Sequence, residues 1–408
     1  MAIDTPKPTQ LEKLDTTMET FESFLKGDGS TTPSLRDNWI YLQIFATYGL
    51  WLPSTNADML TTLNLTAAQA ATYTWFNSMV QAYRNIYESS NYFFKEIFNK
   101  MLDLGNGLKN YASNVAGQES EFTLISKLVQ TGSDQDLPMA LALLKDLKAS
   151  AASNATLAGT IKDNMTTYRV QLVTAHGSMR TVKTQVDLDE RTSQATIDTL
   201  AGDKDHSGSV AQLQAQYEKD RKEYNHDVVV ASTAVTYAWV LIPPPFPGGL
   251  IAAAVVAGVF GKRATDMLDT MSKLAATIRN ANTELQTAVA VHRTDDLAEG
   301  SLTSLLTHLN TAIDKVTLVQ NAWLGVQGGL DLISDAINNT LMPDGTDGDK
   351  LKASQLIILK MKQAQVSWTN IQPTINELMD NPVINVESEA VNVDEFVKKV
   401  QDEEKKAA

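Results

Sequence analysis

Apolar residues recur along this chain at alternating intervals of three and four, the spacing that keeps one face of an α-helix against a neighbour. Phe76, Met79, Tyr83, Ile86, Phe93, Ile97, Met101 and Leu104 form one stripe. Leu157, Ile161, Met165, Tyr168, Leu172, Ala175, Met179, Val182 and Val186 form a second. A third runs from Met267 through Met271, Leu274, Ile278, Ala281, Leu285 and Ala288 to His292. A fourth takes Leu302, Leu306, Leu309, Ile313, Val316, Gln320 and Trp323, and a fifth Ile357, Met361, Ala364, Trp368, Ile371, Ile375 and Leu378. Such stripes predict an all-α protein, an elongated bundle of long helices packed side by side.

The punctuation agrees. Gly27, Gly29 and Pro33 predict a loop before a helix, and Pro53 ends an aromatic helix that begins near Trp39. Residues 131–138 read as a connector with Pro138 at a helix start, and residues 201–209 and 342–350 as polar loops. Only residues 383–393 alternate with a period of two, the tail from Asp394 is charged, and no repeat of fixed period is present. The aromatic helix predicts a core-facing element, because large aromatics dominate cores; a second membrane contact is the alternative.

One stretch departs from this plan. Between Asp227 and Lys262 lie 34 residues without a charge. Pro243, Pro244, Pro245, Pro247, Gly248 and Gly249 interrupt them, so a single helix is excluded. Two apolar arms remain, 228–242 and 250–260, each shorter than the roughly 20 helical residues that cross a bilayer core. The candidate membrane-inserting residues are Val228, Val229, Val230, Val235, Trp239, Val240, Leu241 and Ile242 on the first arm and Pro245, Phe246, Gly248 and Gly249 at the turn. On the second arm they are Leu250, Ile251, Val255, Val256, Val259 and Phe260. A core hairpin is the competing reading, but a core segment in so polar a chain rarely runs this far without a charge. Burial of each large aliphatic in lipid contributes on the order of 1.5–3 kcal/mol, enough in sum to drive insertion.

Composition narrows the options. The chain has 408 residues, 43% hydrophobic and 20% charged, with a net charge of −14. Acidity on this scale repels phosphate backbones and sets nucleic acid aside as a partner. It gives no attraction to anionic lipid either, so membrane binding must come from apolar burial. Cysteine is absent, which removes disulfides, thiolate nucleophiles and Cys-type zinc sites. Residues 1–10 hold no basic stretch followed by an apolar core, so a secreted role is expected without a visible signal peptide.

The run Gly248, Gly249, Leu250, Ile251, Ala252, Ala253, Ala254, Val255, Val256, Ala257, Gly258, Val259, Phe260, Gly261, Lys262, followed at once by the 4-3 stripe from Met267, resembles a known element. It is similar to the hydrophobic head of the alpha-xenorhabdolysin A-type proteins, which group with the cytolysin A and haemolysin BL alpha-helical pore-forming toxins. The placement is similar as well: long helices first, an apolar hairpin past mid-chain, then helices returning through Trp323. The proline cluster at 243–247 departs from the pattern. The resemblance implies a soluble protein with a helical tail and a head, which meets a B-type second component and oligomerises on a target-cell membrane. The expected division is a tail bundle at 1–205, a stalk and head hairpin at 206–264, and a returning helix with the rest of the tail at 265–408.

Other constellations are weaker. Asp203, Asp205 and Gly208 open like an EF-hand loop, but its twelfth place is Gln214, so a polar connector is expected. Asp344, Asp347 and Asp349 read as a solvated loop rather than a cation site. His176, His206, His226, His292 and His308 show no ligand or catalytic spacing. His226, beside Asp227 at the hairpin base, is a candidate acid-sensitive latch. No enzyme, cofactor or metal is expected. A coiled-coil scaffold or a permanently anchored helical protein is the alternative to a toxin.

Overall fold

The stripes fold as helices whose buried seams keep the spacing read from the sequence. The computed structural model describes residues 35–63, 65–189, 283–342 and 347–380, with 212, 216, 252–254 and 386–388. Among these the helices in chain order are α1 (Leu35–Trp51), α2 (Asn56–Thr62), α3 (Ala67–Ala70), α4 (Phe76–Tyr92), α5 (Asn99–Val115), α6 (Glu121–Thr131), α7 (Asp136–Leu188), α8 (Thr283–Ala336) and α9 (Asp347–Asp380). A π-helical segment, Phe93–Phe98, joins α4 to α5, and a second, Ile337–Leu341, continues α8. Two three-residue strands, β1 (Ala252–Ala254) and β2 (Val386–Ser388), complete the described elements.

Helix α7 holds 53 residues, about 80 Å at 1.5 Å per residue. Its seam from Ile161 to Val186 is buried as the stripe predicts, and upstream Leu137, Ala140, Leu144, Leu147, Ala151 and Ala158 extend the same spacing. One polar residue, Asn154, stands in that seam. It faces Gly107, where an added Cβ would lie 2.1 Å from its Oδ1. The stripe on α9 is likewise buried from Ile357 to Ile375.

The fourth stripe is shifted. Leu302, Leu305, Leu309, Ala312, Val316, Val319, Trp323, Val326, Leu330, Ile333 and Ile337 form the buried seam of α8 and its π-helical extension, while Leu306, Ile313 and Gln320 sit at the seam's edge. The helix period places Leu305, Ala312 and Val319 on the seam, each one residue before the position that the stripe predicts. The loop expected at 342–350 is shorter, because Asp347 and Asp349 lie in the first turn of α9, where carboxylates favour the helix dipole.

The chain divides into two compact units. In the unit built on 95–166 and 310–382, α9 packs on α5 and α6. Its aromatic centre is Tyr111, edge-on to Trp323 at 5.0 Å and beside Trp368 at 5.0 Å, with the two indoles 5.9 Å apart. Gly117, at φ 87°, turns the chain before α6, and its carbonyl accepts from Gln365 Nε2, which also donates to Thr123 Oγ1 at 3.0 Å. Thus α9 is tied to the start of α6 by polar contacts as well as apolar ones.

In the unit built on 39–94 and 167–309, Phe93 lies 5.5 Å from both Trp39 and Tyr168. Trp39, Leu42, Phe45 and Ala46 of α1 are buried, so the aromatic helix faces a core, as expected. Gly49 of α1 meets Ser90 of α4 so closely that an added Cβ would lie 1.9 Å from its Oγ.

The first stripe contains a surplus residue. Phe93, Ile97 and Met101 spend eight residues on two turns, where an α-helix spends about seven. The π-helical segment at this place winds more residues per turn and keeps all three buried. Such a turn leaves a carbonyl without its usual amide. The Glu96 carbonyl accepts from Asn164 Nδ2 at 2.8 Å and from Lys100 Nζ at 3.0 Å.

Two outcomes follow for stability. Gly49→Ala should cost about 1–3 kcal/mol by overpacking against Ser90, and Ser90→Gly in the same chain should recover part of it. Additive losses across that double-mutant cycle, measured by denaturant unfolding, would refute the contact. Asn164→Ala should cost about 1–2 kcal/mol by leaving the Glu96 carbonyl one donor short. An unchanged urea midpoint would show that the π-helical segment needs no such support.

Candidate functional site

The charge-free segment departs from helical patterning, and the structure describes Ala252, Ala253 and Ala254 within it. These three form β1, antiparallel to β2, with Ala252 opposite Ser388, Ala253 opposite Glu387 and Ala254 opposite Val386. Extended backbone here is a short exception within an all-α architecture. Alanine alone favours helix, but Ile251, Val255 and Val256 flank the triplet with β-branched side chains that favour strand. Pairing with β2 supplies the ladder hydrogen bonds that an isolated strand lacks.

The partner strand falls inside residues 383–393, where the sequence alternates with a period of two. That signal was legible. Its partner was not, because a run of three alanines carries no alternation at all.

Every residue assigned above to membrane insertion, from Val228 to Phe260, lies outside the described residues. So do His206, His226, the EF-hand-like residues Asp203, Asp205 and Gly208, and the proline cluster. On the near side of the segment Gln212 and Gln216 are helical, and on the far side α8 is described from Thr283. Of the third stripe, Leu285, Ala288 and His292 therefore lie on a helix, as predicted. Among the described residues no helix is long and apolar enough to cross a membrane.

The ionisable groups near the described cores serve the fold. Burial pushes the Tyr168 hydroxyl well above its ordinary range. Tyr111 moves the same way, by burial first and then by the charge of Glu121. Glu121 is raised by burial and by Asp146, while hydrogen bonds from Ser133 and Thr131 hold Asp136 low at the start of α7. Among the described residues no group of three acidic or histidine side chains could hold a metal.

No protein-family profile matches the chain, and no curated protein does. Solved structures do. The soluble SmhB component of the tripartite alpha-pore forming toxin Smh from Serratia marcescens shares 13% identity over 96% of this chain and 97% of its own, with a TM-score of 0.56. Soluble SmhA of the same toxin shares 14% over 94% of this chain and 97% of its own, with a TM-score of 0.54. The Bacillus cereus toxin component HblL1 shares 16% over 86% of this chain and 96% of its own, also with a TM-score of 0.54. The match spans nearly the whole of each chain, and the chain has the fold of these alpha-helical pore-forming toxin components.

Proposed function

We propose that this chain is a component of an alpha-helical pore-forming toxin, released as a soluble protein, that inserts residues 228–260 into a target-cell membrane and oligomerises there. The observation that carries the reading is a conjunction. A fold matching the Smh and Hbl components end to end holds, past mid-chain, 34 consecutive residues without a charge. Neither half suffices, since helical bundles serve many ends and apolar segments also anchor proteins permanently.

The chemistry required of the chain is burial rather than catalysis. With a net charge of −14, the surface offers anionic lipid nothing, so apolar area must supply the binding free energy. Soluble proteins seldom expose apolar surface on this scale, which requires the arms to be sheltered until the membrane is reached. The pairing of β1 with β2 fits such a sheltered state, because it engages backbone of the second arm. Smh is a tripartite toxin, and by that likeness the chain is assigned at least one further protein component, of the B type that the resemblance to the A-type proteins implies.

Replacing Leu250 and Val256 together with Asp should leave helicity unchanged and abolish flotation with liposomes. Normal flotation of a folded double variant would refute insertion by this segment, and an unfolded one would instead support the core-hairpin reading.

Phe246→Cys provides a single labelling site in a chain without cysteine. A polarity-sensitive dye there should shift to the blue on adding liposomes, more strongly with the further component present, while a label at exposed Asp347 should not change. A dye at 246 that reports water throughout, in protein that still lyses cells, would exclude the hairpin tip as the inserting element.

A further inference from the structure

Two outward faces in the unit built on 95–166 and 310–382 carry a second heptad pattern, one that the unit's own core does not use. On α9 the exposed positions Lys352, Gln355, Leu359, Lys362, Val366 and Thr369 step by three and four, parallel to the buried seam on the opposite side. Leu359 and Val366 are 52% and 54% exposed there. From Lys350 to Asn376 the helix holds four lysines and no acidic residue, within a chain of net charge −14.

The second face lies on α8. Asp314, Leu318, Asn321, Gly325, Gly328 and Asp335 fall on one stripe of the same spacing. Leu318 is 40% exposed and Leu324, beside the stripe, 49%. A Cβ added at Gly328 would meet nothing within 4 Å, so that position opens outward. The stripe carries acid and no base; the nearest base, Lys315, is half-buried at its edge. Asp331, further round, is engaged by Lys148 of the same chain.

We propose that the lysine-bearing outer stripe of α9 packs on the aspartate-bearing outer stripe of α8 in a second copy of this chain. Three features favour a copy over other occupants. Both stripes repeat at 3-4 spacing, so they can interdigitate as the seams of a coiled coil do. They run over similar lengths, with 17 helical steps from Lys352 to Thr369 and 21 from Asp314 to Asp335. Their charges are opposite, which matters in a chain whose overall charge makes copies repel. Glycines at 325 and 328 let a partner backbone approach closely. Because the two faces differ, the contact is heterologous; each copy offers one face to either neighbour, and the contact propagates into a ring or a filament. The proposal rests on the toxin reading, since it names the surfaces of the oligomer proposed there.

The test uses two charge-reversed full-length chains, Lys352→Glu with Lys362→Glu, and Asp314→Lys with Asp335→Lys, each checked for native helicity. On liposomes, chemical cross-linking should give oligomers of the unmodified chain and at least a tenfold loss with either variant alone. Mixing the two variants should restore them, because each variant's altered stripe then meets its complement on the other. A folded variant that still assembles alone, or a mixture that does not recover, overturns the proposal. If either variant retains its own oligomers and loses only lysis that depends on a further component, the faces bind that component and the second-copy assignment is wrong. If the unmodified chain neither binds nor assembles on liposomes, the toxin reading falls with it. If it binds, assembles and lyses while both variants match it, only the surface assignment falls.

Discussion

The fold depends on one recurring contact, an apolar side chain at every third or fourth residue pressed into a neighbouring helix. Long helices gain little from their own hydrogen bonds in water, and their stability comes from covering an apolar face. Helix α7 sustains the contact from Leu137 to Val186, and α8 with its π-helical extension from Leu302 to Ile337. Aromatic residues widen it locally, as where Tyr111, Trp323 and Trp368 meet. Each seam is one stripe wide, so a single misplaced residue would turn every later apolar side chain away from its partner.

That constraint explains two local features of the helices. The surplus residue between Phe93 and Met101 is absorbed by a π-helical segment, which keeps the later seam on the same face. Within it the Glu96 carbonyl takes side-chain donors from Asn164 of α7 and from Lys100. Asn154 is the polar exception within the α7 seam, and it sits where Gly107 leaves it room. Both departures are local, and the seam continues through them.

The sequence made the seams legible because spacing is all they require. Ile161 to Val186 and Ile357 to Ile375 could be read almost residue by residue. Leu306 and Ile313 fall one residue off the seam, because Leu305 and Leu306 are alike in size and Ala312 is a weak apolar signal beside Ile313. The start of α9 at Asp347 was missed because Asp and Gly signal loops as readily as helix starts. The site was legible as an absence, 34 positions without a charge, and an absence says nothing about pairing. Strand β2 announced itself by alternation, while β1, three alanines long, could be found only in three dimensions.

The same physics accounts for a likeness that is plain in structure and faint in sequence. A seam position asks for an apolar residue of roughly the right size, and Leu, Ile, Val, Met and Ala all answer. Outward positions ask for less still. Two chains can therefore share a fold while agreeing at 13% of positions, as this chain and SmhB do. Comparison by residue identity discards the 3-4 spacing, which is the part of the sequence that specifies the fold. Comparison by shape retains it, because a preserved spacing reproduces the same packing whichever apolar residue fills each place.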